Sequence, residues 1–150
     1  MPLATYERTV VATWTEGKGV DVEDGDWWID VMTTLIHRSL DAKLKFGDEA
    51  EACGYIVQGG GHEYVRHCAN LFAEEPGRFG IGVEDTKEIY GLLEDGCLAG
   101  VWHSHPDGSH RPSDDDLAGH PKGVPMYILV LDNLDSKATL LRFDLDYLED

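Results

Sequence analysis

The sequence predicts an α+β fold, a mixed β-sheet flanked by helices, and three observations carry that reading. Apolar residues recur at helical spacing after Trp28 and again after Asp85, and short β-branched or aromatic runs of strand length lie between and beyond those stretches. Two strand runs are joined by the triple glycine at 59–61 and two more by an Asp-Asn turn region, and helices combined with adjacent strand pairs point to a sheet sandwiched by helices.

Taken in order, residues 5–14 are rich in β-branched and aromatic types, so the segment 1–27 contains an ordered N-terminal arm or an extra strand. Gly17, Gly19 and the acidic run 21–26 read as a loop. From Trp28 the positions Val31, Met32, Leu35, Ile36 and Leu40 make a helical stripe, which Leu44 extends and Gly47 stops. The run Cys53-Gly54-Tyr55-Ile56-Val57 reads as a buried strand, and the glycines at 59–61 turn it into a second strand over 62–68. Residues 70–82 are loop-like, with Pro76 and Gly77 in the middle. Asp85 and Glu88 have capping-box spacing for a helix whose buried face is Ile89, Leu92 and Leu93, and Gly96 ends it. Residues 98–103 form the next strand, Ser113-x-x-Asp116 starts a short helix to about His120, and 126–131 and 138–143 are the last two strands.

A chain of 150 residues with 42% hydrophobic residues can bury one core and is short for two, so residues 1–150 are expected to form a single domain. With 29 acidic residues against 12 basic ones the net charge is −17, which repels phosphate backbones and anionic lipid. Neither nucleic acid nor membrane is therefore an expected partner; a basic protein surface, adaptation to high salt and plain solubility all remain open. No run approaches the roughly 18 apolar residues of a membrane span. The N-terminus Met-Pro-Leu-Ala-Thr-Tyr-Glu-Arg lacks the basic patch and apolar core of a signal peptide, so a soluble protein without a leader is expected. Cys53, Cys68 and Cys97 have no paired spacing, which predicts reduced thiols used for buried packing.

The chemistry concentrates in residues 103–116, His-Ser-His-Pro-Asp-Gly-Ser-His-Arg-Pro-Ser-Asp-Asp-Asp. His103 and His105 are two apart, so at a strand end their side chains leave from one face and can share an ion, with Asp116 as the third ligand. Two nitrogens and one oxygen leave a fourth tetrahedral position open, as catalytic zinc sites do and closed structural sites do not. Ser104 points to the opposite face, Pro106 sets the direction of the leaving chain, and Trp102 reads as core. Asp114 and Asp115 read as first-turn residues favoured by the helix dipole, and His110 as a loop residue with substrate contact as its alternative. His37, His62, His67 and His120 have no spacing that recommends them.

The pattern His-x-His-Pro, six residues, then Ser-x-x-Asp, preceded about fifty residues earlier by Glu-x-Cys-Gly, resembles the JAMM family of zinc metalloproteases, also called MPN+ or Mov34/MPN/PAD-1. The resemblance extends over roughly residues 28–145. It implies a cytidine-deaminase-like three-layer architecture, one zinc ion per chain on His103, His105 and Asp116, Glu51 as the general acid-base and Ser113 as the oxyanion donor. Glu49 lies close by, but Glu51 stands in the Glu-Ala-Cys-Gly register. The implied reaction is hydrolysis of a peptide or isopeptide bond in a protein or peptide substrate. Zinc lowers the pKa of a bound water from about 16 to about 7, and a carboxylate beside that water can carry its proton to the leaving amine. One hydroxyl donor to the developing oxyanion is worth on the order of 3 kcal/mol.

Family members that remove ubiquitin carry insertions around the active site, for which the connections 106–112 and 117–125 leave little room, so the chain resembles compact prokaryotic or phage-type members. Cys68-Ala-Asn70, Pro76 and Phe79-Gly-Ile81 further resemble the JAMM domains of phage tail-assembly proteins, whose second, cell-wall peptidase domain is not expected within these residues. A cytoplasmic or phage-associated protein is the resulting expectation. Small bacterial enzymes acting on ubiquitin-like conjugates or sulfur carriers are the enzymatic alternative, a non-catalytic MPN assembly module is the other, and substrate, host and oligomeric state stay open.

Overall fold

The computed structural model of the protein describes residues 4–148 apart from 24, 60, 61, 76, 77 and 133. Along the chain lie β1 (Ala4–Thr15), β2 (Gly19–Val22), α1 (Trp27–Phe46), β3 (Cys53–Gly59), β4 (His62–Cys68), α2 (Val83–Glu94), β5 (Leu98–His105), α3 (Asp114–Gly119), β6 (Met126–Leu131) and β7 (Lys137–Tyr147). The strands form one seven-stranded sheet in the order β2-β1-β7-β6-β5-β3-β4. Neighbours are antiparallel except β5 and β6. A parallel pair cannot be closed by a hairpin, so the chain must cross over between them, and residues 106–125 with α3 make that crossing.

The two-residue period of the strands sorts their side chains into two faces. Trp102 of β5, Ile56 of β3 and Tyr127, Leu129 and Leu131 of β6 join the apolar stripe of α1, namely Trp28, Val31, Met32, Leu35 and Ile36. The alternate residues face the other way, where Cys53, Tyr55 and Val101 pack with Ile89 of α2, and Met126, Ile128 and Val130 pack with Leu117 of α3. The result is the expected α+β architecture of a mixed sheet with helices on both faces.

Several elements differ from the sequence expectation for identifiable reasons. The N-terminal segment is a full strand, and part of its expected loop is β2, paired to β1 from Ala12↔Val22 to Thr15↔Gly19. Its half-buried Val20 and Val22 alternate with exposed Asp21, a period too short to stand out inside an acidic run. Leu44 is 86% exposed and does not extend the stripe of α1. A helix precesses about 40° every four residues, so by the fourth step from Trp28 the stripe has turned to solvent. Gly47 does end α1, at φ 112, its N–H donating to the Lys43 carbonyl at 2.9 Å.

The capping box at Asp85 and Glu88 does not form. α2 begins at Val83 after Gly82, with no side-chain cap, so Asp85 already lies inside the first turn and cannot serve as the cap residue. Cys53 and Cys68 are buried free thiols as expected, whereas Cys97 is only half-buried. Residues 60 and 61 of the glycine turn, Pro76 and Gly77 of the loop, and Asn133 lie outside the described residues, although β3 and β4 pair in register from Gly59↔His62 to Cys53↔Cys68.

Candidate metal centre

β5 runs two residues further than its sequence limit, to His105, so both histidines are strand residues on one face. Cys53 of β3 stands opposite His103, and the ladder continues beyond β3 because Ser104 N–H donates to the Ala52 carbonyl and Ala52 N–H donates to Ser104 Oγ, both at 2.9 Å. Glu51, two residues before Cys53, is thereby held on the histidine face. Close approach makes Gly54 obligatory in this register: a Cβ there would lie 2.0 Å from the Arg66 carbonyl oxygen and 2.6 Å from Trp102 Nε1.

Asp116 arrives from the first turn of α3. Ser113 Oγ accepts from Asp116 N–H at 3.0 Å and Asp116 Oδ2 accepts from Ser113 N–H at 2.9 Å, a reciprocal capping box despite the short Asp side chain. Asp114 and Asp115 sit exposed in the same turn, as the dipole argument expects. Among the described residues the Ser113 hydroxyl proton has no protein acceptor, so that donor is free.

The structure brings Glu51, His103, His105 and Asp116 together, one potential ligand atom from each lying within 4.8 Å of the others, and all four are buried. Nε2 of His103 and Nε2 of His105 are 3.1 Å apart, and Asp116 Oδ2 is 3.0 and 3.1 Å from them. His105 Nδ1 lies 3.0 Å from the Ser109 carbonyl, which can only accept, so Nδ1 carries a proton, and whenever the ring is neutral its lone pair is on Nε2. No placement of protons gives all three edges of this triangle a hydrogen bond, because a ring nitrogen carries either one proton or one in-plane lone pair. A divalent cation among the three atoms would satisfy every edge at once. The donor set therefore fits a metal of the kind that takes imidazole and carboxylate together.

Without a cation the electrostatics treat the two rings differently. Burial pushes His103 down, keeping it neutral. Burial also opposes charge on His105, but Asp116, the Ser109 carbonyl and Glu51 outweigh it and raise that ring. Asp116 is buried too, yet its hydrogen bonds with both histidines and with Ser113 N–H hold it well below the usual carboxylate range. Glu51 is the odd member: burial drives its carboxyl up to about 8, with His105 pulling down and Asp116 and Asp107 pushing up. It is 5% exposed and its Oε1 has no hydrogen-bond partner. A buried orphan oxygen beside three converging ligand atoms is the remaining polar group of the cluster.

Sequence reasoning missed the supports. Asn70 uses its whole side chain: Nδ2 donates to the carbonyls of Glu51 at 2.9 Å and Arg78 at 3.0 Å, and Oδ1 accepts from Phe72 and Gly80 N–H, both at 2.9 Å. The 70–82 loop is thus latched to the backbone of Glu51. Phe79 from that loop stacks on the His103 ring, centroids 4.4 Å apart. His120, which no spacing recommended, donates from Nε2 to the Val124 carbonyl at 2.6 Å and lines a cleft of about 380 Å³ bordered by His103 and Asp116. His110 is exposed on the far side of the 106–112 loop. Asn70 and Phe79 fall in segments that carry the family resemblance, but no spacing assigns a role to them or to His120, since each acts through the fold of a loop.

The profile of the prokaryotic homologs of the JAB domain matches residues 34–144, most of the chain and all of the cluster. This protein belongs to the prokaryotic JAB-domain family. The JAB domain here is also similar to tail tip assembly protein K of Escherichia phage N15, at 38% identity over 69 residues. That match takes in 45% of this chain and 27% of the phage protein, so the chain corresponds to only part of its relative. Among the described residues no helix of this JAB domain is long and apolar enough to cross a membrane.

Proposed function

We propose that this JAB domain is a zinc-dependent metallopeptidase that hydrolyses a peptide or isopeptide bond, working in phage tail assembly or a related process. The observation that carries the reading is the triangle of His103, His105 and Asp116 with the buried, unpartnered Glu51 oxygen beside it. One zinc ion held by the three would supply Lewis acidity and make water acidic enough to ionise near neutral pH.

In this reading Glu51 stays off the metal, takes the proton of the attacking water at its free oxygen and returns it to the departing amine. Its raised affinity for protons in the metal-free site suits a group that must accept one and give it back. Ser113 directs its free hydroxyl at the negative charge that develops on the carbonyl oxygen, while its own oxygen is steadied by Asp116 N–H. His103 and His105 stay neutral on rings fixed by Phe79 stacking and by the Ser109 carbonyl. The substrate is a protein or peptide, and neither nucleic acid nor a membrane is part of the proposal.

The test is metal content and turnover of Glu51→Gln beside Asp116→Ala, on a panel of ubiquitin-like fusions, isopeptide conjugates and cell-wall peptides. Glu51→Gln should keep about one zinc per chain and lose turnover by roughly 10²–10⁴-fold, and Asp116→Ala should lose the zinc. Zinc retained in Asp116→Ala would refute the ligand set. The similarity to a tail tip assembly protein favours a second reading, a non-catalytic assembly module. Full turnover-independent function of Glu51→Gln in tail assembly would select it.

A further inference from the structure

We propose that the cleft beside the metal triangle is a side-chain subsite that takes a large apolar, preferentially aromatic, side chain from the substrate residue bordering the scissile amide. This rests on the peptidase reading above and adds its substrate class. The cleft and the cluster share two residues, His103 and Asp116, so whatever fills the cleft has its neighbouring atoms at the metal. Phe79 makes the junction, one face of its ring against His103 and its position on the cleft wall.

Carbon-rich walls come from Ile81 of the loop, Ile89 and Tyr90 of α2, Val101 of β5 and Met126 of β6, and α3 with the segment after it closes the remaining side. About 380 Å³ lies in the range of pockets built for small ligands, and accommodates a ring-bearing side chain with its flanking backbone. The wall is already formed, because Asn70 pins both ends of the 70–82 loop, and the Phe72 ring lies so close over Gly80 that a Cβ there would be 2.5 Å from it. The rim carries both signs, Asp115 and Asp116 on one side and the Arg78 guanidinium, 4.1 Å from the centre of the Phe72 ring, on the other, so the preference for an apolar occupant is carried by the carbon of the walls. His120 has its Nε2 committed to the Val124 carbonyl, which leaves that ring without a free N–H donor for the occupant.

The test uses two chelating probes with the same metal-binding group, glycine hydroxamate and phenylalanine hydroxamate, titrated calorimetrically into the zinc-loaded protein. The phenylalanine probe should bind about tenfold tighter or better. Gly119→Trp places an indole on the cleft wall, where an added Cβ meets nothing within 4 Å, and should reduce that preference to below about threefold without changing zinc content or glycine hydroxamate affinity. Tyr90→Ala, at a residue 53% exposed and so dispensable for folding, should weaken the preference in the same direction. Equal affinity of the two probes in the parent protein, or a preference that survives both variants, overturns the subsite and leaves the metal reading standing. Failure of both probes to bind in a zinc-dependent way overturns the subsite and the metal reading together.

Discussion

Trp102 and His103 are consecutive residues of β5, 0% and 1% exposed, and they serve opposite purposes. Trp102 is buried among carbon on the α1 face, its one polar atom donating to the Arg66 carbonyl at 3.4 Å. His103 is buried among nitrogen and oxygen at the seam between two smaller apolar clusters, one under α2 and one beside α3. One face of the strand packs the main core and the other carries the candidate metal cluster, so the two should be separable by mutation.

The sharpest way to break that comparison is Trp102→Ala, which should cost about 3–5 kcal/mol in urea unfolding. His103→Ala should cost clearly less in the metal-free protein while removing zinc; equal losses would mean that the two faces are not distinct. A second expectation concerns the metal-stripped protein. Glu51 has its pKa raised by burial from 4.5 to about 8, so between those values the folded state holds a proton that the unfolded state has released. Stability should therefore fall as pH rises through that window, by on the order of a few kcal/mol, and Glu51→Gln should remove this share of the slope. Identical pH profiles for the two proteins would sink the assignment of an isolated buried carboxyl.

Smaller effects come from the supports of the chemical face. Asn70→Ala leaves the amides of Phe72 and Gly80 without their acceptor, and should cost about 1–3 kcal/mol and speed hydrogen exchange at those two sites. Asn70→Asp keeps that acceptor and should slow both amides again. Ser113→Ala removes the cap of α3 for about 1 kcal/mol, read in thermal melts, with zinc still bound. A melt unchanged from the parent would mean that the capping box adds nothing to the fold.

The same contrast governs what was legible in the sequence. The carbon-packed face announced itself through periodicity, as in Val31, Leu35 and the run 126–131, because burial against a sheet repeats along an element. His103, His105, Ser113 and Asp116 were legible because one strand end and one helix start hold them at short separations. Glu51 lies on a different segment, and only its Glu-Ala-Cys-Gly context identified it. Asn70 and Phe79 stood in segments that resemble tail-assembly JAMM domains, but their roles, like that of His120, were not legible, since their partners are loop carbonyls and rings that sequence spacing does not encode. Asp85 and Glu88 misled because the helix starts earlier, at Val83, which puts Asp85 in the first turn rather than at the cap. Asp132 on the far side shows the local rule winning, its carboxylate gathering Leu134 and Ser136 N–H.

Oδ2 of Asp116 does two jobs with one atom, accepting Ser113 N–H while facing both imidazole nitrogens. Electron density drawn toward a cation there is withdrawn from the amide of Ser113, which makes that single backbone proton a natural gauge of loading. In an NMR titration its resonance should travel with zinc occupancy and stand still for ions that bind elsewhere on this acidic surface. The protein thus carries its own indicator, wired to the first turn of a six-residue helix.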